Sequence, residues 1–223
     1  MKVVAITSSP KGKNSTTLRL VNAALEGARE AGAETEIVDV ARKKINYCKG
    51  CVSCYAKGKC VQKDEYNKVA EKFFSADGVI LSSPNYIDNV SAQLKTFLDR
   101  SANSIHEQML DGKYGLTLTT SGGSEYENVL KVMNSFINRS GGLVVGSVGF
   151  SNAQGAQGME EGVRKAREAG KDLVAAIKEK RSYPDQEAPI KEWRRRFEQT
   201  LKFNKERWTH NYQHWVEKGW IKE

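Results

Sequence analysis

The four cysteines of this 223-residue chain all lie in one stretch of thirteen residues, CKGCVSCYAKGKC. They are Cys48, Cys51, Cys54 and Cys60, in the spacing C-x2-C-x2-C-x5-C. Three thiols two residues apart can surround one small object, and the fourth can close around it from the far side. The spacing therefore predicts that these cysteines bind a metal centre, and the spacing alone leaves the identity of that centre open.

Three kinds of site compete for these thiols. A [4Fe–4S] cluster takes four thiolates, and close C-x2-C-x2-C runs recur as the source of three of them. Zinc sites made only of cysteine usually pair two C-x2-C units that are well separated in the sequence, unlike the cysteines here. A redox C-x-x-C pair would leave two thiols without a role. We favour the cluster and keep zinc and free thiols as alternatives.

A second group of chemically useful residues follows the first apolar stretch of the chain. The loop SSPKGKNSTT (8–17) lacks both the GxGxxG and the GK[ST] patterns of common nucleotide-binding loops. It carries five hydroxyls and two lysines at the start of a predicted helix, whose N-terminal N–H groups bind anions. An ordinary N-cap at Asn14 or Ser15 is the simpler interpretation. We favour a phosphate site made by Ser9, Lys11, Asn14, Ser15, Thr16 and Thr17.

Two further loops are predicted to reach the same place. The loop 82–89 offers backbone N–H groups and the ring of Tyr86, and the loop 120–125 has paired glycines that let a backbone approach a flat ligand. A phosphate loop with two loops that can line a planar ring predicts an FMN pocket, with Tyr86 as a wall. Its predicted ring-side residues are Pro84, Asn85, Tyr86, Ile87, Ser121, Gly122 and Gly123. The sequence presents no catalytic base, nucleophile or triad.

The elements that must position these loops alternate along the chain. Short apolar runs predict strands over 2–7, 34–40, 78–82, 114–120 and 142–150. Helical periodicity predicts helices over 15–31, 64–74, 89–101, 126–139 and 159–180, with Asp64 as an N-cap. Strands that are apolar throughout are buried on both faces, as in a parallel sheet covered by helices. We therefore expect a doubly wound, flavodoxin-like α/β fold with five parallel strands in the order 2-1-3-4-5.

The last part of the chain differs in character from the rest. We expect residues 1–180 to form the flavodoxin-like FMN-binding domain, with the cysteine loop at 47–61, and residues 181–223 to form a helical extension. Two proline-containing pairs, at 183–184 and 188–189, are expected to break the long helix, and 190–216 is expected to be helical again. The extension holds all four tryptophans, which predicts either packing on its own domain or, as the alternative, a contact with another subunit or a cover over a neighbouring active site. His106 is expected to be a surface residue in a loop.

Charge and hydropathy restrict the class of protein. The formal net charge is +8, but acidic residues are interleaved along most of the chain, so nucleic-acid binding is disfavoured and attraction for anionic cofactors or acidic electron carriers is favoured. No apolar run approaches the roughly 20 residues that span a membrane, and the N-terminus does not resemble a signal peptide. We expect a cytoplasmic protein without a membrane partner, in which disulfides are disfavoured.

Two motifs carry a resemblance to a known family. SSPKGKNSTT resembles the GSPR…SNT loop of the NADPH-dependent FMN reductase family, with Lys11 where that family often has arginine. SPNYIDNVSAQLKTFLDR (83–100) is similar to the family motif SPxYxxxxxxxLKxFxDR. The cysteine segment resembles the branch known as iron–sulfur flavoproteins. The resemblance covers about residues 1–180 and implies FMN, a [4Fe–4S] cluster, and a homodimer or homotetramer in which the cluster of one subunit lies near the FMN of another.

These inferences lead to one preferred function and two alternatives. The preferred function is an FMN- and [4Fe–4S]-containing oxidoreductase that passes electrons between a one-electron carrier such as ferredoxin and a small acceptor. The first alternative is an NAD(P)H-dependent FMN, quinone or nitro reductase with a structural metal site. The second, from another class, is a zinc-stabilised interaction or nucleic-acid-binding module that uses the basic aromatic extension.

Overall fold

The computed structural model of the chain describes residues 1–123 and 125–221. Ser124, in the third predicted loop, and the last two residues of the predicted extension lie outside the described residues. In the described part, five strands form one parallel sheet in the order β2-β1-β3-β4-β5, which confirms the predicted fold. The strands are β1 (Lys2–Thr7), β2 (Glu34–Asp39), β3 (Gly78–Pro84), β4 (Tyr114–Ser121) and β5 (Leu143–Ser151).

The apolar character of each strand follows its place in the sheet. Every residue of the interior strand β4 is buried, and so is every residue of the central strand β3 except Pro84, because helices cover both faces of the sheet there. The strand β2 lies at an edge of the sheet. Its sequence, ETEIVD, contains three acidic residues, and only Val38 among its six residues is buried. An edge strand that carries charges is protected from pairing with another chain.

Helices cover both faces of the sheet, and further helices lie in the cysteine loop and in the C-terminal extension. They are α1 (Thr16–Glu30), α2 (Ser53–Lys57), α3 (Tyr66–Ser75), α4 (Ala92–Arg100), α5 (Ala102–Glu107), α6 (Glu127–Arg139), α7 (Gly155–Glu179), α8 (Pro184–Phe203) and α9 (Thr209–Glu217). Helices α1 and α7 share one apolar core with the sheet, and α3, α4 and α6 share the core on the other face. Gly27 and Gly170 allow α1 and α7 to lie very close, since a Cβ at either position would overlap the backbone of the other helix.

The predicted helices are confirmed in place, with differences at their ends. Ser15, one of the two predicted caps, is the N-cap of α1. The N-cap of α3 is Glu65 rather than the predicted Asp64, although Asp64 Oδ1 accepts a hydrogen bond from the Tyr66 N–H at 3.1 Å. The helix predicted from residue 89 begins only at Ala92, because Ser91 is its N-cap. The short helices α2 and α5 were not predicted, since five or six residues are too few for a periodic pattern.

The C-terminal extension forms two helices instead of the one predicted over 190–216. Pro184 occupies the first turn of α8, where its missing N–H is tolerated, but Pro189 lies inside the same helix and does not break it as predicted. The extension has its own small apolar core around Leu201, Trp215 and Ile221. The extension also packs on the chain's own domain, since Trp215 Nε1 donates to the carbonyl of His106 at 2.7 Å, while the predicted subunit contact stays a prediction. None of the helices described in the chain is long and apolar enough to cross a membrane.

Candidate functional site

Three loops meet at the edge where the strands end, beside the switch in strand order between β1 and β3. Hydrogen bonds made by hydroxyl side chains connect these loops. Ser91 Oγ donates to Ser8 Oγ at 2.9 Å, and Ser8 Oγ donates to the carbonyl of Ser82 at 3.0 Å. Thr17 Oγ1 and Thr120 Oγ1 lie 2.5 Å apart although 103 residues separate them. The three loops predicted from the sequence therefore come together at one edge of the sheet.

The N-terminus of α1 has the properties of an anion site. Ser15 Oγ accepts a hydrogen bond from the Leu18 N–H at 3.1 Å, which leaves the hydroxyl proton of Ser15 able to donate to a ligand. Thr16 and Thr17 begin the helix, and the N–H groups of first-turn residues have no acceptor within a helix. The helix is 15 residues long, so its dipole favours negative charge at this end.

The loop that precedes α1 is shaped by one glycine. Gly12 has a φ of +54°, and a Cβ there would overlap the guanidinium of Arg42. No pattern in the sequence indicates that Arg42 lies over this loop. Among the predicted ligands, Ser9 is buried while Lys11 and Asn14 are exposed. The loop thus combines a buried hydroxyl, exposed donors and a nearby guanidinium at a helix N-terminus.

The second loop presents two apolar side chains to solvent. Tyr86 and Asn89 exchange backbone hydrogen bonds of 2.9 and 3.2 Å, which closes a tight turn. Ile87 and Asp88 inside that turn have φ values of +53° and +55°. This conformation is a genuine outlier for a β-branched residue, and such strain clusters at ligand sites. Ile87 is 99% exposed and Tyr86 41% exposed, so both can cover a flat ligand.

Two buried oxygens at this edge have no acceptor or donor partner among the described residues. They are Thr7 Oγ1, at the end of β1, and Asn85 Oδ1, just after β3. Asn85 is held in place because its Nδ2 donates to the carbonyl of Glu125 at 2.9 Å. Gly122 and Gly123, after β4, have open space where a Cβ would lie. Unpaired buried oxygens beside open space fit a polar ligand at this edge.

The cysteine loop crosses one side of the molecule between β2 and α3. Cys48 and Cys51 are exposed, whereas Cys54 and Cys60 are partly buried. Cys54 lies in α2, whose two ends are formed by residues with positive φ, Val52 at +51° and Gly58 at +69°. The tight folding of the loop therefore depends on left-handed backbone at both ends of this short helix.

A buried ion pair closes the two ends of the cysteine loop. Arg100 Nη1 donates to Asp64 Oδ2 and to the carbonyl of Asn46, both at 2.7 Å, and the side chains of the pair are 0% and 1% exposed. The Asn46 N–H donates to Asp64 Oδ2 at 2.9 Å. Arg100 Nη2 donates to Cys60 Sγ at 3.1 Å. One arginine thus joins the residues that flank the cysteines and directs a positive charge at one thiol.

Two of the four thiols, those of Cys54 and Cys60, line a cavity. The pKa of the Cys54 thiol rises to about 11, first because the thiol is buried and then because charge on Cys60, Cys51 and Cys48 would lie close by. A cavity of about 320 Å³ extends from Cys54 and Cys60 to Arg100. Within the described residues, no three histidine, cysteine, aspartate or glutamate side chains converge closely enough to hold one metal ion.

His106 is not the surface loop residue predicted from the sequence. It lies in α5, where its ring stacks on Tyr55 with a centroid distance of 4.0 Å and contacts Phe197 at 4.6 Å. Burial lowers the pKa of His106 to about 4, because the protein interior disfavours the charged imidazolium. The prediction was wrong because the residues that cover His106 lie in α2 and in the extension, far away in the sequence.

The family of the chain follows from comparison with known proteins. Residues 1–157 match the family described as NADPH-dependent FMN reductase. The chain belongs to this family. A curated relative from Archaeoglobus fulgidus, named iron-sulfur flavoprotein, is 37% identical over 99% of this chain and 100% of its own length. Another of that name, from Methanocaldococcus jannaschii, is 35% identical over 80% of this chain and 98% of its own.

These relatives place the chain in the iron–sulfur flavoprotein branch of the family and make it a flavin-dependent oxidoreductase, as the sequence motifs predicted. Solved structures support the fold alone. An NAD(P)H:quinone oxidoreductase from Methanothermobacter marburgensis superposes with a TM-score of 0.63 at 19% identity, over 78% of this chain and 96% of the other. A structure described as flavone reductase gives a TM-score of 0.66 at 18% identity, over 80% of this chain and 63% of the other.

The predicted site residues fall into two groups in space. The residues of the three loops lie at the strand-end edge: Ser9, Lys11, Asn14, Ser15, Thr16, Thr17, Pro84, Asn85, Tyr86, Ile87, Ser121, Gly122 and Gly123. The four cysteines lie apart from them on the loop between β2 and α3. Sequence reasoning missed Thr7, Arg42 and the contact between Arg100 and Cys60. Among these residues only Arg100 could be noticed from the sequence, because it ends the LKTFLDR motif. The motif does not show that Arg100 contacts Cys60.

Proposed function

We propose that the chain is an oxidoreductase that holds FMN at the strand-end edge and a [4Fe–4S] cluster on the cysteine loop. In this proposal, electrons pass between a one-electron protein carrier and a small acceptor. The observation that carries the cluster assignment is the single loop that bears all four thiols, two of them beside a cavity and one facing a buried arginine. Full-length similarity to a relative named iron-sulfur flavoprotein supports it.

The donor set fits a cluster. Each thiolate of a [4Fe–4S] cluster binds its own iron, so the four sulfurs need not converge on one point as the ligands of a single tetrahedral ion must. The hydrogen bond from Arg100 Nη2 would stabilise negative charge on Cys60, and Gly50, with a φ of +62°, lets its N–H approach Cys48 Sγ at 3.5 Å. Bound together, FMN would supply two-electron chemistry and the cluster one-electron exchange.

The residues at the strand-end edge would bind different parts of FMN. Ser15, Thr16 and Thr17 would donate to the phosphate at the N-terminus of α1. Tyr86 and Ile87 would lie against the flavin ring and exclude water from it, since both are apolar and exposed at this edge. The unpaired Asn85 Oδ1 would accept a hydrogen bond from a ring N–H. These residues bind and orient, and none of them is required to act as a base or a nucleophile.

The surface around the cysteines suits an acidic protein carrier such as ferredoxin. From residue 42 to residue 63 the sequence has seven basic residues and no acidic ones, and all seven basic side chains are exposed. In the described chain, only Arg42 and Lys43 of this set form ion pairs. The exposed Tyr47 adds an apolar contact among these charges. Complementary charge speeds the encounter of two proteins and suppresses wrong partners.

A second candidate function is an NAD(P)H-dependent quinone reductase in which the cysteines hold a structural metal. A 74-residue segment of the chain is 38% identical to an NAD(P)H dehydrogenase (quinone) from Acidithiobacillus ferrooxidans, over 31% of this chain and 36% of that protein. The two functions differ in the electron donor that they accept.

The test is anaerobic reduction of the purified protein, followed in the visible spectrum. The proposed function predicts reduction of flavin and cluster by reduced ferredoxin, at a rate that falls as salt screens the basic loop. Reduction by NADPH or NADH alone, with no response to ferredoxin, would replace it by the second candidate. A homodimer or homotetramer is expected as the working assembly, and light scattering measures its mass.

A further inference from the structure

The helix that carries Cys54 is not stable by itself. Helix α2 has five residues, and none of them is buried. Isolated helices shorter than about 12 residues are marginal in water, so α2 needs contacts from other parts of the chain. Its ends add a further demand, because Val52 takes a left-handed conformation that costs about 1 kcal/mol or more. The position of Cys54 is therefore set by whatever packs against α2.

The C-terminal extension supplies these contacts. Trp208 packs edge-on against Tyr55 of α2 with a centroid distance of 5.1 Å, and His106 stacks on Tyr55 at 4.0 Å. The rings of His106 and Trp208 are themselves 5.2 Å apart, so the three rings form one cluster. Thr209 Oγ1 donates to the carbonyl of Ala56 at 3.3 Å. Helix α2 is thus held against the start of α9 and helix α5.

The left-handed end of α2 is also in contact with α9. The ring of His210 lies so close to Gly58 that a Cβ at that position would overlap it. Glycine is required there twice, once for its φ of +69° and once for the approach of this ring. His210 is itself held, because its Nε2 lies 3.0 Å from Oε1 of the buried Glu107.

Helix α9 is anchored firmly enough to act as a support. Asn211, fully buried, donates through Nδ2 to Asn103 Oδ1 at 2.8 Å and to Glu107 Oε1 at 3.0 Å. Trp215 Nε1 donates to the carbonyl of His106 at 2.7 Å, and the Trp215 side chain is fully buried. These bonds join residues more than 100 positions apart and fix α9 to α5. The extension is therefore fixed to the rest of the chain, and one of its faces contacts the cysteine loop. We refer to this support of the loop by the extension as bracing.

We propose that the C-terminal extension positions the cysteine loop, with Trp208 and His210 as the positioning residues that fix α2 and Cys54. This inference rests on the proposed function for its purpose, since a fixed Cys54 lowers the ordering cost of binding a cluster. The bracing itself needs no cluster. It is a property of the folded chain that a metal-free protein also has.

The test measures how well the full-length, metal-free protein protects Cys54 from alkylation. In a background with Cys48→Ser, Cys51→Ser and Cys60→Ser, N-ethylmaleimide labelling is followed by mass spectrometry. Trp208→Ala and His210→Gln should each raise the labelling rate about fivefold to tenfold, the upper value corresponding to about 1.4 kcal/mol. Trp208→Phe should restore most of the protection, because it keeps an aromatic contact.

The matched control is Phe203→Ala, which lies in the same extension but is 90% exposed. It should change the labelling rate by less than about twofold, and FMN affinity should stay within about twofold in all variants because the strand-end edge is untouched. A labelling rate that stays within about twofold in both Trp208→Ala and His210→Gln would overturn the proposal. If Trp208→Ala fails to fold, the proposal is tested by the labelling rate of His210→Gln and by hydrogen exchange of the backbone amides of residues 53–58 in that variant.

Failure of the bracing and failure of the proposed function give different results. Iron and sulfide analysis of the unmodified protein tests whether a cluster is present. If Cys54 is protected from alkylation but the unmodified protein contains no iron, the bracing is supported and the proposed cluster is overturned. Iron in the unmodified protein, together with a Cys54 that is labelled readily and at a rate the variants do not change, would support the cluster and overturn the bracing.

Discussion

Removing the charge of Asp64 should destabilise the protein strongly. Asp64 Oδ2 lies 2.7 Å from Arg100 Nη1, and the two side chains are 1% and 0% exposed. Asp64→Asn would leave the guanidinium of Arg100 buried without a counter-charge and would weaken the bonds to Asn46 and Tyr66. Loss of one partner of a buried pair costs about 3–5 kcal/mol. We expect about 3 kcal/mol, because Arg100 keeps its bond to the Asn46 carbonyl.

The assay is urea unfolding of the metal-free protein followed by circular dichroism, with the free energy of unfolding extrapolated to water. Asp99→Asn is the matched control, since Asp99 pairs with Lys95 at 2.5 Å but both side chains are about half exposed. It should cost less than about 0.5 kcal/mol. The double variant Asp64→Leu, Arg100→Met should recover most of the loss, because it leaves no unpaired charge. A loss below about 1 kcal/mol in Asp64→Asn would refute the reasoning, since an exposed pair behaves in that way.

Three further predictions concern the strand-end edge and the edge strand. Tyr86→Ala should raise the Kd for FMN about tenfold through loss of ring contact, measured by flavin fluorescence; an unchanged Kd would remove Tyr86 from the site. Ser15→Ala should lower the free energy of unfolding by about 1 kcal/mol through loss of the N-cap and should also weaken FMN binding, whereas loss of stability with unchanged affinity would make Ser15 a cap only. A hydrogen bond from Lys2, and then one from Lys72, lower the pKa of Glu36. Its stabilisation is therefore present above the ordinary glutamate pKa and lost as the pH falls through the lower folded value. Glu36→Gln should remove about 0.5 kcal/mol near neutral pH and little at pH 2, in paired urea titrations.

Local patterns in the sequence predict the sheet and its edge well. The strands other than β2 are short runs rich in apolar residues, and the order of the strands follows from alternation with helices and the handedness of crossovers. The loops after β1, β3 and β4 meet because the carboxyl ends of parallel strands share one edge. The clustered cysteines could be recognised because their spacing is itself the signal.

Contacts between distant parts of the chain could not be predicted in this way. His106 looked exposed because nothing in its neighbourhood shows that Tyr55 and Phe197 will cover it. Arg100 and Cys60 are 40 residues apart, and neither residue type implies the other. Pro189 was expected to end a helix, but it lies within α8, where packing of the extension overrides the local preference.

The proposed function depends on an iron–sulfur cluster that the four cysteines hold in a chain that also binds FMN. It is tested most directly by measuring iron, acid-labile sulfide, zinc and FMN in protein purified without oxygen. We expect about four irons and about four sulfides per chain, with FMN bound, and loss of iron when Cys54 is replaced by serine. About one zinc per chain with no labile sulfide would contradict the account and would make the cysteine loop a structural zinc site.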